Sequence, residues 1–531
     1  MLPYSKKVLQ HFNKPHNYGK MKSPDGVGKV GNIVCLKNSV ILHSEIGMKE
    51  IKDFRVGDKV LSHDGLYHIV KRVIKEDCSD GLLEIQSKLG KNLVTEDHLI
   101  FALKLPCERK FAYSINKKKI FNQVAWHHAG DLKKGDLLVY PVPNFVEDVN
   151  KIKFNFKKSH YDFKSISIPN TIPINKEFLR LVGYYLSEGY ITDVVSRMQV
   201  GFVFNSNEEF YIKDVARIVK NLFGLEAKFV RLLEKNACQI YFNSVFLVQI
   251  FKEYFGKGAQ NKKLPDFMLW LPIEKQKSLI EGLWRGDGYI NLKRESARAE
   301  FVSISVNLIN QLKILLLRQG IVPSIYCEQE KTDLKGVKHQ KAYRVHIGEI
   351  EYLKKISNIL GKSFDIPEKR VNIHSWVENQ YAFFPVTRVS KVNYAGKVFN
   401  LEVEKSRSFL SDSLCFHNCG DLMELSIKVA KNKKGQEIIK DVKFSTYGCL
   451  TAIASSSMLT DLVKGRTLEQ AIDFDRKEIV QELGGLPPIK IHCSVLAGDA
   501  LLEAIYDYLS KNKKPIPEKL VKRHQQLQKE K

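Results

Sequence analysis

Apolar and polar positions along this chain follow two rhythms, one of period two and one helical, and the chain switches between them several times. Residues 1–34 predict a short helix over Ser5–Phe12 and then an extended Gly/Pro/Lys-rich stretch, too little chain to bury a core alone. From Cys35 to about Phe145 come short β-like runs broken by turn residues: Ser39–Leu42, Asp58–Leu61, His68–Val70 and Leu93–Thr95. The same texture resumes at Thr387–Val392 and Lys397–Val403, which predicts one all-β domain interrupted by an insertion. Inside the insertion, Glu177–Glu188 and Lys275–Arg285 carry helical apolar spacing, and each runs into an acid–Gly pair. Each is followed by β-like runs (Val200–Phe204, Ala299–Ile304) and another amphipathic helix, the pattern of an internal α/β duplication. From Cys419 the pattern predicts strands over Met423–Val429 and Val442–Thr446. Helices follow over Ala452–Lys464, Leu468–Ile472, Arg476–Leu483 and Val495–Leu509, and then a Lys/Gln-rich tail, expected to fray.

Composition narrows the class. A chain of 531 residues exceeds one ordinary core, and 44% apolar with 27% charged residues is globular. No run approaches the ~20 apolar residues of a membrane span, and the start lacks the apolar core of a signal peptide, so a cytoplasmic protein without membrane contact is expected. Nine cysteines, an odd number widely spread, point to thiol or metal chemistry rather than a disulfide framework. Most of the net charge of +25 lies between positions 35 and 418, where it suits a polyanion such as double-stranded DNA.

The chemistry gathers at Phe416-His417-Asn418-Cys419-Gly420-Asp421. His-Asn is a pair able to cleave its own backbone, and Cys-Gly-Asp is a plausible opening for a soft-metal site. A protein boundary between Asn418 and Cys419, with its other half before Cys35, explains both. Cys35-Leu36, with Gly47 and Val56–Val60 behind it, Thr95-Glu96-Asp97-His98, Val398–Val403, Phe409 and His417-Asn418 before Cys419 stand in order. Together these blocks resemble an intein over Cys35–Asn418. The resemblance implies that Cys35 attacks the Val34 carbonyl to form a thioester, with His98 protonating the leaving nitrogen and Thr95 helping to hold that bond distorted. Cys419 then takes over the upstream segment, and Asn418 cyclises with His417 polarising its carbonyl, without any cofactor. Asn400 stands where many inteins have Asp and Arg407 where they have His, so slower or differently tuned splicing is expected. Cys415, near the junction, is an incidental or redox-sensitive thiol.

Leu181–Gly189 and Ile280–Gly288 resemble the paired motifs of a LAGLIDADG homing endonuclease. In that family the motif helices pack through small residues and their closing acids meet, so Glu188 and Asp287 would hold Mg²⁺ for phosphodiester hydrolysis. Lys262, in Lys262-Lys263-Leu264-Pro265, would steady phosphate charge. Gly201–Asn205 and Phe301–Ser305 would lie in the DNA major groove.

Removing 35–418 joins Gly31-Asn32-Ile33-Val34 to Cys419-Gly420-Asp421. The product resembles an IscU/NifU-type iron–sulfur cluster scaffold through Tyr4–Val8, Thr446–Cys449, Ala452–Ser457 and Leu486–Ser494. The resemblance implies thiolate ligands Cys419, Cys449 and Cys493, Asp421 or His492 as the fourth, and Lys490 assisting. Such a donor set suits a 2Fe–2S cluster or Zn²⁺. A cysteine desulfurase and cluster-accepting proteins would be its partners. The fold class expected is therefore multidomain: an α+β scaffold (1–34 and 419–531) split by an all-β Hint splicing domain (35–169 and 376–418). That domain is itself interrupted by a duplicated α/β LAGLIDADG endonuclease domain (170–375). Two other readings fit the same motifs: a DNA endonuclease that no longer splices, and a zinc-binding protein without cluster transfer.

Overall fold

The two ends of the chain build one core. A computed structural model describes residues 4–31, 34–45, 47–79, 81–105, 123–154, 170–194, 197–232, 234, 236–293, 297–332, 336, 338–363, 375–418, 422–447, 450–486 and 492–529. The strand Gly26–Val30 pairs antiparallel with Leu422–Lys431, Gly26 opposite Ile427 and Val30 opposite Met423. Leu422–Lys431 in turn pairs with Glu437–Tyr447. The helix Lys6–Asn13 starts where Ser5 Oγ accepts the Val8 N–H, and it buries Val8 among Met423, Leu425, Leu459 and Leu501. Residues 1–34 thus find their core partners hundreds of positions away, as their lack of a core of their own requires.

Two glycines make this join possible. The long helix His492–Lys511 crosses the N-terminal strand so closely that a Cβ at Gly28 would lie 2.0 Å from the Ala500 carbonyl oxygen. At Gly26 it would lie 2.2 Å from the Ala504 carbonyl oxygen. The C-terminal tail differs from expectation. Glu518–Lys529 is a helix that buries Leu520 and Leu527, two turns apart, while Arg523 reaches the buried Asp499 carboxylate at 2.9 and 2.7 Å. Its polar composition hid a single apolar stripe, which is all that one-sided docking needs.

The β-rich flanks interleave into one system, of fifteen strands among the described residues. Leu36–Lys37 lies between Gly90–Val94 and Gly396–Val403, and Phe416 pairs with Ile100. Segments before and after the insertion therefore complete each other's ladders. Lys151–Lys153 pairs with Thr171–Pro173, a small ladder that straddles the entry to the insertion.

Within the insertion two helices, Lys176–Glu188 and Ile273–Gly286, cross through glycine. A Cβ on Gly183 would lie 2.5 Å from the Leu279 carbonyl oxygen and 2.7 Å from Gly282 Cα. Asn175 caps the first helix by accepting the Phe178 N–H at 2.9 Å. Each helix leads into a four-stranded antiparallel sheet. In both sheets the first two strands in sequence are neighbours, and the fourth strand sits between the second and third.

Candidate functional site

One peptide bond is gripped from both sides. Asn400 Nδ2 donates to the Val34 carbonyl oxygen at 2.7 Å, and the Cys35 N–H donates to Thr95 Oγ1 at 3.0 Å. These two atoms are the two ends of the Val34–Cys35 peptide. The Thr95 N–H also donates to the Cys35 carbonyl at 3.0 Å, and Asn400 Oδ1 is held by the Leu401 N–H at 2.8 Å. Asn400 reaches the junction because it follows Phe399, the partner of Leu36 across the ladder. A hydrogen bond to a buried carbonyl polarises it toward attack.

Cys35 is only 2% exposed, and burial pushes its thiol pKa far up, with Glu76 and Cys78 adding to the effect. The Cys35 side chain is therefore a neutral thiol, which acts as a nucleophile only with a proton acceptor beside it. His98 is fully buried against the edges of Phe416 and Phe409, at ring distances of 4.9 and 6.3 Å. Neither ring nitrogen has a hydrogen-bond partner among the described residues. Burial pushes its pKa down to about 3, His417 lowers it further, and the backbones of Cys35 and His417 pull the other way. His98 thus neighbours both expected junctions as a neutral base.

At the downstream junction His417 stands edge-on to Trp126 at 4.9 Å. The Asn418 N–H donates to the Arg407 carbonyl at 2.9 Å, and Asn418 Nδ2 donates to the Val403 carbonyl at 3.3 Å. Arg407 adopts the left-handed region (φ 53°). Asn400 and Arg407 look like departures in the sequence, yet one donates to the Val34 carbonyl and the other accepts the Asn418 N–H through its backbone carbonyl.

Glu188 ends the first glycine-crossed helix and Asp287 caps the second. Their helix ends touch, since a Cβ on Gly286 would lie 3.1 Å from Glu188 Cγ. Burial raises the Glu188 carboxyl to about 7, with Asp287 adding to it, and burial also raises Asp287. Lys262 Nζ, pushed down to about 8 by burial, donates to the Ser187 carbonyl at 2.5 Å and opposes both acids. Converging hard oxygens that resist ionisation without a counter-charge are a donor set that fits a divalent cation. Because Glu188 titrates above its usual 4.5, the metal-free fold loses stability as pH rises through about 7. Glu188→Gln removes that loss. At about pH 8 the metal-free variant is expected to be about 1–2 kcal/mol more stable than the parent, a figure discounted because the Glu188 side chain is only partly buried. At about pH 4 the two should match, and thermal melts in chelator check both.

Cys419, Asp421, Cys449 and Lys490 lie outside the described residues, as do the side chains of His492 and Cys493. The described chain brings helix starts beside three of these positions, Leu450 directly after Cys449 and the helix from His492 running through Cys493.

The family described as NifU-like N terminal domain matches residues 404–515, and that described as LAGLIDADG-like domain matches 274–361. An uncharacterized protein of Methanocaldococcus jannaschii is 29% identical over 418 residues, 74% of this chain and 51% of that protein. The ATP-dependent DNA helicase Hel308 of Thermococcus kodakarensis is 25% identical over 449 residues, 78% of this chain and 38% of the helicase. The chain thus spans about half or less of the length of these long relatives. The iron–sulfur cluster assembly scaffold protein IscU of Azotobacter vinelandii is 57% identical over 93 residues, 18% of this chain and 69% of that protein. Among solved structures, the homing endonuclease I-DmoI in complex with DNA and Mn aligns at 15% identity and TM-score 0.28, covering 36% of this chain and 99% of that one. The gp41-1 intein aligns at 23% identity and TM-score 0.15, covering 21% and 70%. With its N-terminal strand and C-terminal segment sharing one sheet around a long insert that contains a LAGLIDADG-like domain, the chain belongs to the IscU/NifU-type iron–sulfur scaffold family.

Proposed function

We propose that the chain is a self-splicing precursor: residues 35–418 excise themselves, and 1–34 joined to 419–531 become a scaffold that assembles and hands on iron–sulfur clusters. The observation that carries this reading is the two-sided grip of Asn400 and Thr95 on the Val34–Cys35 peptide.

Neutral His98 first accepts the Cys35 thiol proton as Sγ attacks the Val34 carbonyl carbon. It then delivers that proton to the Cys35 nitrogen as the C–N bond breaks, leaving a thioester and a free amine. Asn400 supports the developing oxyanion. The Cys419 thiol displaces Cys35 from the thioester, moving the upstream segment onto its own sulfur. Asn418 Nδ2 leaves Val403 and attacks its own carbonyl, which His417 polarises, and the Cys419 amine departs. That amine then attacks the neighbouring thioester and restores an ordinary peptide bond.

The insert carries a second activity, cleavage of double-stranded DNA. A duplicated α/β LAGLIDADG unit interrupts an all-β Hint domain, and Glu188 and Asp287 would hold Mg²⁺. That ion, when bound, supplies Lewis acidity and an activated water for phosphodiester hydrolysis. Lys262 limits the charge on the two acids and steadies the phosphate. The target is the uninterrupted gene's sequence encoding Gly-Asn-Ile-Val-Cys-Gly-Asp.

In the ligated product the cluster is cargo, held by Cys419, Cys449 and Cys493 with Asp421 or His492 and assisted by Lys490. A cysteine desulfurase would supply its sulfur and acceptor proteins would receive it, in the cytoplasm. A denaturing gel with mass spectrometry on the expressed chain is expected to show the ligated scaffold and the free insert. A single uncut species under reducing conditions would sink splicing. Ligated product that develops no sulfur-to-iron charge-transfer absorption with iron and sulfide would sink the scaffold reading.

A further inference from the structure

Away from both junctions and from the paired acids, two imidazoles and a carboxylate converge on the scaffold surface. His11 sits in the last turn of the helix Lys6–Asn13, His16 follows it, and Asp461 comes from the helix Leu450–Val463. One ligating atom from each lies within 4.8 Å of the others. The two rings stand 4.8 Å apart, and His16 Nδ1 meets Asp461 Oδ2 at 2.6 Å. We propose that His11, His16 and Asp461 form a divalent transition-metal site, with Zn²⁺ as the chemistry that fits best.

The surrounding hydrogen bonds are those a ligand set needs. Ser457 Oγ lies 2.8 Å from His11 Nδ1 and accepts the His16 N–H at 2.8 Å. A His11 Nδ1–H directed at Ser457 leaves Nε2 as the lone pair for a metal. Asn17 Nδ2 donates to Asp461 Oδ1 at 3.3 Å and to Thr460 Oγ1 at 3.1 Å, which fixes the carboxylate and leaves Oδ2 toward the imidazoles. Two imidazoles and one carboxylate suit Zn²⁺ with water as the fourth ligand. Ligands about 2.0–2.2 Å from such an ion stand about 3.4 Å apart, so the His16–Asp461 pair opens from 2.6 Å while the set as a whole closes from 4.8 Å, movements that turning the exposed His16 ring toward the ion supplies.

The donor set differs in chemistry from the thiolates expected to hold a cluster. Asp461 lies about 16 Å along its helix from Leu450, at 1.5 Å per residue, and no thiolate takes part. It joins residues some 445 positions apart in sequence, so the metal would lock the N-terminal helix onto the helix that follows Cys449. The inference is independent of splicing, because the described chain assembles these residues with the insert in place.

The test uses the full chain, free of affinity tags, with Cys419, Cys449 and Cys493 all replaced by Ser and with excess Mg²⁺ covering the paired acids. Titrated with Co²⁺, it is expected to give the visible bands of a four-coordinate N/O site without thiolate charge transfer. His16→Ala and Asp461→Asn, both at exposed positions, should each weaken Co²⁺ binding at least tenfold. Zn²⁺ should raise the scaffold's thermal midpoint in the parent and not in either variant. No binding by the parent, or equal binding and equal Zn²⁺ shifts in parent and variants, overturns the proposal.

Discussion

Cys35→Ala is expected to leave no ligated product at any time, while 419–531 is still released slowly by Asn418 cyclisation. The asymmetry follows from the chemistry of each junction. A peptide bond is resonance-stabilised, and the upstream bond breaks only if a nucleophile replaces its nitrogen. Asn400 and Thr95 align that bond but bring no electron pair to it. In the proposed reaction the downstream bond keeps its own nucleophile in Asn418. His98→Ala should retain the alignment yet slow thioester formation about a hundred- to ten-thousand-fold, the usual worth of a positioned acid–base group. The buried, neutral thiol then has no acceptor for its proton. Time-resolved mass spectrometry of purified precursor, with dithiothreitol to capture any thioester, separates the two variants. Dithiothreitol-released 1–34 from Cys35→Ala, or an unchanged rate in His98→Ala, would contradict the assigned roles.

Gly28→Val is expected to destabilise the ligated scaffold by about 3 kcal/mol or more, the upper range for forcing atoms into a packed interior. The obstacle is backbone rather than a pliable side chain. The added Cβ would meet the Ala500 carbonyl oxygen at 2.0 Å and the Ala504 nitrogen at 2.4 Å. Relief requires lifting the helix His492–Lys511 from the sheet, which exposes Leu501 and Ile505. Lys29→Ala, on the exposed side of the same strand, should change stability by less than about 0.5 kcal/mol. Urea midpoints of the two ligated variants give the comparison. The same strand aligns Val30 with Met423 in the unspliced chain. Precursor Gly28→Val should therefore accumulate thioester and cleaved fragments at the expense of ligation, since Val34 and Cys419 would lose their common anchor.

Much of this molecule is readable from local sequence, because local chemistry needs particular residues at short spacing. Thr95 and His98 fall within one turn-and-strand block, and the motif helices announce themselves by apolar period, glycine and closing acid. Glu188 and Asp287 end their helices where that spacing places them. The strand runs around Leu42, Val60 and Leu401 are legible for the same reason, although several extend further than the turns suggest, as Tyr67–Cys78 and Tyr381–Val392 do.

What tertiary structure alone decides are the pairings between distant segments. Asn400 looks like a substitution until the ladder between Leu36 and Phe399 carries it to the Val34 carbonyl. The tail reads as a fraying Lys/Gln-rich end until Asp499 and the core beside it give Leu520, Leu527 and Arg523 something to meet. His11 and Asp461 are unremarkable letters until the N-terminal helix docks on Leu450–Val463. Sequence by itself determined the chemistry available at each position and the expectation of boundaries at Cys35 and Asn418, because reactivity belongs to residue type and order. Which carbonyl is polarised, which imidazole is dry and which glycine cannot bear a side chain depend on contacts across hundreds of residues. Those contacts are set by burial and hydrogen-bond satisfaction in the folded whole, and no local pattern encodes them.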